Sequence, residues 1–291
     1  MTARVLVTGG EGLVGSAVVA RLLAAGHEVT TLTLPDAEPH DGVTVVRGDA
    51  RDATAVAEAA RAVDAVAHLA AIPHPFAHPP DVVFGNNTQA TFTVLWTAAA
   101  LGVRRFAIAG SVNATGLLMH PEHPPPNRYP VGVHTPGSPA DAYSLSKRVD
   151  EEILRAVCRR FGAAGVALRL PLIVTPGNVV ALREWADTRL AEGRGDGWGW
   201  LDARDAAEAF RRALTAPLEG AHVVHVAADD VFADLPTEEL LDRHAAAVPR
   251  DRVFEGRDAP VDTAAAFELF GFRPSRRLSD VGEPDASEED A

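Results

Sequence analysis

The sequence predicts an α/β fold, a doubly wound and mostly parallel sheet with a smaller mixed region after it. Three features point there. Strand-like and helix-like segments alternate through the first 170 residues. The first strand breaks into a glycine-rich turn that opens a helix. After about residue 171 the alternation loosens. Strands alternating with helices of this length imply right-handed βαβ crossovers, which set successive strands parallel.

The elements follow in order. "RVLVTGG" at 4–10 is a short apolar run ending in glycines, the first strand. "GSAVVARLLAAG" at 15–26 carries apolar residues at helical spacing and stops on Gly26. The β-branched "HEVTTLTL" at 27–34 and "GVTVVRGD" at 42–49 predict strands. "DATAVAEAARAV" at 52–63 predicts a helix and "DAVAHLAA" at 64–71 a strand. A helix at 87–102, a strand at 104–111, a helix at 139–161 and a strand at 165–174 continue the rhythm. Beyond it, helices are expected at 179–193, 201–217, 237–248 and 261–272, and a buried strand at 221–229. The segment 120–139 is too rich in proline to be regular. Loops of that length in compact domains are often functional.

Residues 1–170 are thus expected to form the sheet domain, with 199–229 returning to it. The stretches 171–198 and 230–278 make the smaller region, and 279–291 an acidic, disordered tail without apolar anchors.

Composition narrows the function classes. A chain of 291 residues with 47% hydrophobic content can bury a sizeable core. A formal net charge of −13 suits neither nucleic acid nor anionic membranes. No apolar run is long enough to span a bilayer, and no leader pattern opens the chain. The single cysteine, Cys158, cannot form an internal disulfide. A cytoplasmic location is the expectation.

"TGGEGLVGS" at 8–16 sets Gly9, Gly12 and Gly15 three apart, after a strand and before a helix. This is the context of a Rossmann-type dinucleotide site. Glycines allow the tight turn, the approach of backbone to pyrophosphate, and close helix packing. The helix start, at Leu13 and Val14, offers free N–H groups to the phosphates. About twenty residues on, such sites place an acid that holds the adenosine ribose. Thr33 stands there, and Asp36 and Glu38 follow where an arginine would bind an extra phosphate. NAD and NADP both remain open, with a small lean to NADP.

The chain holds 27 Lys plus Arg, and only Lys147 is a lysine. Tyr143, one of two tyrosines, precedes it by four. On a helix these side chains share a face. A phenol is a weak acid at neutral pH, and a neighbouring ammonium stabilises its phenolate. A compact ammonium can also hold a cofactor ribose, a task ill suited to a planar guanidinium.

In order along the chain stand "TGGEGLVGS", "GDARD" (48–52), "HLAA" (68–71), "NNT" (86–88), "FAIAGSVNATG" (106–116), "YSLSK" (143–147), "LRLP" (168–171) and "VDTAAAFELFGFRP" (261–274). With these the chain resembles an extended short-chain dehydrogenase/reductase of the NAD-dependent epimerase/dehydratase type. The resemblance implies that Ser111 hydrogen-bonds the substrate oxygen, that Tyr143 moves the proton and that Lys147 activates it. It implies an adenine contact at Asp49 and Ala50. It implies a backbone wall from His68 through Leu69, Ala70 and Ala71, and a supporting polar residue at Asn87. Homodimers are common in families it resembles.

Nucleotide-sugar members place an Asn soon after the arginine of "LRLP", whereas here "LIV" follows. Uronate dehydrogenases, closer in length, place a small polar residue where Leu172 stands. Ile72, Pro73 and Phe76 add apolar candidates for the lining, which favours an apolar or aromatic carbonyl compound. His74 and His78 are four apart, but prolines at 75, 79 and 80 break any helix that would align them, and no metal is expected. Trp198 and Trp200 are candidates for a substrate lid or for an anchor at the junction of the two regions.

The expected function is an NAD(P)-dependent ketoreductase of a fairly hydrophobic small molecule. The rivals are a sugar epimerase or dehydrogenase of the same family, and a non-catalytic NAD(P)-sensing regulator.

Overall fold

The computed structural model describes residues 2–76 and 78–281. Along them run β1 (Arg4–Thr8), α1 (Leu13–Ala24), β2 (Glu28–Thr33), β3 (Thr44–Arg47), α2 (Ala53–Ala59), β4 (Ala65–His68), α3 (Pro80–Ala100) and β5 (Arg105–Ser111). Then come α4 (Ala142–Phe161), β6 (Ala164–Leu170), β7 (Leu172–Val174), α5 (Val179–Asp187), β8 (Trp200–Asp202), α6 (Ala203–Thr215), β9 (Ala221–His225), α7 (Thr237–His244) and α8 (Ala264–Phe270).

Seven strands form one parallel sheet in the order β3-β2-β1-β4-β5-β6-β9. The expected doubly wound α/β architecture is the one observed. A parallel sheet is covered on both faces, so its strands are apolar throughout. Every residue of β4 and β6 is accordingly buried. One face packs α1, α6 and α8 around Val18, Leu22, Phe210 and Phe270. The other packs α2, α3 and α4 around Val56, Val94, Leu95 and Leu154. Strand order reverses between β1 and β4, and such a switch point opens a crevice at the carboxyl ends of the strands.

Several boundaries differ from the sequence reading, each for a local reason. The strand expected at 165–174 is two strands, split at Pro171, which cannot donate to a ladder. β6 ends at Leu170, and β7 pairs instead with β8 in a separate two-stranded sheet. The helix expected at 201–217 starts at Ala203. Asp202 caps it by accepting from the Arg204 N–H at 2.7 Å. The helix expected at 87–102 begins about two turns earlier, with Pro80 in its first turn. The helix expected at 179–193 stops at Asp187, because the chain turns to bring Trp198 N–H onto Gly193 O at 2.9 Å.

Two further buried clusters join residues of 171–198 and 230–278 to Tyr129, Val131 and Trp200 from outside those stretches. Tyr129, Val131, Trp198, Leu240, Leu241 and Phe254 form one, and Val174, Trp200, Phe232 and Leu278 another. Trp198 and Trp200 are thus anchors and not a lid. Trp198 donates to Leu190 O and Trp200 to Asp230 Oδ1. The proline-rich segment is pinned by Tyr129, whose hydroxyl donates to Arg194 O at 2.7 Å. Of the expected tail, Ser279 and Asp280 belong to a short 3₁₀ turn and Val281 is buried; residues 282–291 lie outside the described residues. No helix among the described residues is long and apolar enough to cross a membrane.

At the end of β9, His225 is buried with no hydrogen-bond partner on either ring nitrogen. Burial, then the neighbouring Arg169 charge, pushes it down from 6.5 to about 3. The unfolded chain takes up this proton near pH 6.5 and the folded chain resists it until about pH 3. The folded state is therefore penalised increasingly as pH falls through that window. His225→Leu is expected to gain on the native protein by up to about 1.4 kcal/mol per pH unit below pH 6.5. Urea unfolding on both sides of that pH reads it, and parallel pH profiles would contradict it.

Candidate active site

A cavity of about 580 Å³ opens at the carboxyl ends of the strands. Ser111, Tyr143 and Lys147 all line it, as do Gly9, Gly12, Leu13, Val14, Gly15, Leu69 and Ala71.

The glycines fit a dinucleotide cradle. Gly9 has φ +71°, and a Cβ on it would stand 2.6 Å from Ala70 N. A Cβ on Gly15 would stand 1.9 Å from Gly9 O. A Cβ on Gly12 would meet only Gly9 O, at 3.4 Å, and would otherwise fill the space beside the loop. Gly12 is the N-cap of α1 and brings no capping side chain, so the first N–H groups of the helix stay available to an anion. Loop and helix start can hold a pyrophosphate.

α4 brings the tyrosine and lysine together. Asp141 caps it, accepting from the Ser144 N–H at 2.9 Å. One turn apart, Lys147 Nζ lies 5.9 Å from the centre of the Tyr143 ring. Lys147 donates to Ala109 O at 3.0 Å and sits 3.4 Å from Asp150 Oδ2. Burial pushes the Asp150 carboxyl up, against the pull of Lys147. Ser111 ends β5, two residues beyond the Ala109 carbonyl that holds the lysine. Its Oγ accepts from the Asn113 N–H at 3.2 Å, which leaves the hydroxyl proton free to donate into the cavity.

The family model described as NAD dependent epimerase/dehydratase family matches residues 5–227. The chain belongs to this family. It is 32% identical over 221 residues to an L-arabinose 1-dehydrogenase (NAD(P)(+)) of Haloferax volcanii, covering 74% of this chain and 84% of that protein. It is 30% identical over 262 residues to a 2-alkyl-3-oxoalkanoate reductase of Stenotrophomonas maltophilia, covering 86% and 77%. Among solved structures, the UDP-glucose 4-epimerase of Thermus thermophilus in complex with NAD superposes with a TM-score of 0.68 at 25% identity, over 96% of each chain. This epimerase/dehydratase family member is therefore an NAD(P)-dependent enzyme.

Other residues expected at the site do not line the cavity. Thr33 closes β2, fully buried. Asp49 is held bidentate by Arg51, which keeps its carboxyl low, and Ala50 packs into the core. Ala70 lies under Gly9. Asn87 is buried on α3 and brackets the Ile72 backbone, accepting from its N–H at 2.8 Å and donating to its C=O at 3.1 Å. It also donates to Ser146 Oγ, which in turn donates to the Tyr143 carbonyl. His68 is clamped between Thr8 and Thr91 hydroxyls and pushed down to about 3 by burial, so it stays neutral.

Pro73 and His74 line the cavity, whereas Phe76 is exposed. His78 lies away from it, and no group of three metal-ligating side chains occurs among the described residues. The sequence reading missed Asn113 and Asp196. Asn113 Oδ1 is buried without a partner at the cavity wall. Asp196 lines the same cavity and is pushed up to about 7 by burial. Asn113 stands two residues past Ser111 inside "FAIAGSVNATG", and Asp196 is an acid in the "GDGWGW" turn, outside any motif.

Proposed function

We propose that this enzyme reduces a ketone on a small molecule with an apolar body. What carries the reading is the wall of the substrate half. Leu118, Met119, Leu172, Ile173, Leu182 and Trp185 line it, drawn from three segments of the chain. Apolar walls of this kind select apolar ligands, with a few polar groups fixing orientation. The smaller region, 171–198 and 230–278, supplies most of that wall. The Stenotrophomonas relative, a reductase by name, agrees with it.

In this reading the Ser111 hydroxyl donates to the carbonyl oxygen and orients it. NAD(P)H, when bound, supplies a hydride to the carbonyl carbon. Tyr143 gives its phenolic proton to the oxygen as negative charge develops there. Lys147, fixed by Ala109 O, stabilises the phenolate that remains. The product is a secondary alcohol. The substrate is a free small molecule, with no nucleic acid or membrane surface involved. The enzyme acts in the cytoplasm, and a homodimer is the assembly we expect.

One observation favours a second reading. The unpartnered Asn113 Oδ1 and the Asp196 carboxyl could accept from sugar hydroxyls. The relation to an L-arabinose 1-dehydrogenase agrees with that. A single assay separates the two. The purified enzyme, given NADH or NADPH, is expected to turn over aryl or long-chain ketones and 3-oxoacids. Given NAD or NADP, it is expected to leave aldoses and uronates unoxidised. The reverse pattern would replace the ketone assignment by the sugar one.

A further inference from the structure

Thr33 stands where dinucleotide folds place an acid against the adenosine ribose, and a threonine cannot do that acid's work. The structure brings an acid there by another route. Glu11 lies inside the glycine loop, between Gly9 and Gly12. Its Oε1 accepts a hydrogen bond from Thr33 Oγ1 at 2.6 Å. We propose that Glu11 selects NAD over NADP, with Thr33 as the post that fixes its carboxylate at the end of β2.

The proposal rests on the assignment of the glycine-loop half of the cavity to the dinucleotide. Thr33 is fully buried, and Thr31 Oγ1 lies 3.0 Å from the same hydroxyl, so the post does not swing. The segment after β2 is tied down over the loop by His40, whose Nε2 lies 2.8 Å from Gly10 O. Glu11 Oε2 has no protein partner among the described residues, and it remains to accept from a ribose hydroxyl. Acceptance from the ribose 2′-hydroxyl by this remaining oxygen is a recognition that only NAD allows. A phosphate on the 2′-oxygen would replace that donor by two negative charges beside a carboxylate.

The surrounding charges point the same way. Asp36, Glu38 and Asp41 follow on the segment after β2, with no lysine or arginine among them. Two guanidinium groups lie near. Arg47 pairs with Thr33 in the β2–β3 register. Its Nη1 is engaged by the carbonyls of Leu34, Pro35 and Ala37. Arg51 is taken up by Asp49. Neither is held out towards the loop as a phosphate fork would be. Thr33 read alone leans to NADP, and its contact with Glu11 reverses that lean.

The test is equilibrium binding to the substrate-free protein, followed by tryptophan fluorescence or calorimetry with NAD, NADH, NADP and NADPH. Because no substrate is present, a wrong ketone assignment leaves the result untouched. The native protein is expected to bind NADH at least about tenfold tighter than NADPH, or about 1.4 kcal/mol. Glu11→Gln keeps the size and the Thr33 contact and removes the charge. It is expected to narrow the NADH/NADPH ratio by about tenfold, chiefly through tighter NADPH. Arg47→Ala is expected to leave that ratio within about twofold. Native protein that binds NADPH as tightly as NADH overturns the proposal, and this result needs no variant to fold. So does a Glu11→Gln ratio unchanged within about twofold, or a loss of NADPH binding confined to Arg47→Ala.

Discussion

Tyr143→Phe is expected to lower the rate of reduction by a factor on the order of 10²–10⁴ while NAD(P)H binding stays within a few-fold of native. The substitution removes one oxygen and little else. The ring lies on the cavity wall with only 7% of its surface exposed, packed where phenylalanine fits equally well. Lys147 keeps its bond to Ala109 O and its place beside Asp150. The glycine loop, Leu69 and Ala71 line the cofactor half without help from the phenol. Only the proton delivered to the alkoxide is lost, so kcat falls and the dissociation constant of the reduced cofactor does not. Steady-state rates with the best ketone, beside a fluorescence titration, separate the two. Native rates in the variant would remove Tyr143 from the proton step. Equal losses in rate and cofactor binding would make its role one of position.

Much of this site is legible in the amino-acid sequence, because its logic is local. Tyr143 and Lys147 are four apart on one helix, so their shared face follows from helical geometry alone. Gly9, Gly12 and Gly15 are three apart in a strand–turn–helix context, and the crowding around Gly9 and Gly15 gives that spacing its reason. The doubly wound sheet follows from the alternation of strand and helix patterns. What the sequence hides depends on contacts between distant segments. The Glu11–Thr33 bond joins residues 22 positions apart. Reading Thr33 by its place at the end of β2 misses the acid that reaches it from the loop. Pro171 announces a break, but not that the far side pairs with β8. Trp198 and Trp200 look like lid material because aromatic residues near glycines do so in sequence. Their indole N–H bonds and the clusters around them fix both in the packing instead.

The same dependence on distant contacts sets the largest stability effect we expect. Arg169 on β6 and Glu151 on α4 are 3% and 1% exposed at the side chain, and they meet bidentate, Nε to Oε1 at 2.7 Å and Nη2 to Oε2 at 3.1 Å. Arg169 Nη1 also donates to Val133 O at 3.1 Å, which fastens the proline-rich segment to the sheet. A buried pair of this kind contributes little over a well-packed apolar pair, because both charges have lost their water. Removing one partner is different, since the other is then buried alone. Glu151→Ala should therefore cost about 3–5 kcal/mol in urea unfolding. Arg169→Met combined with Glu151→Leu should recover most of that loss. A single-variant cost below about 1 kcal/mol would mean that water reaches the guanidinium, as at an exposed pair. A double variant no better than the single would mean that the Val133 carbonyl and its segment need the arginine itself. The pair would then hold the loop in place, with α4 gaining nothing from its charge.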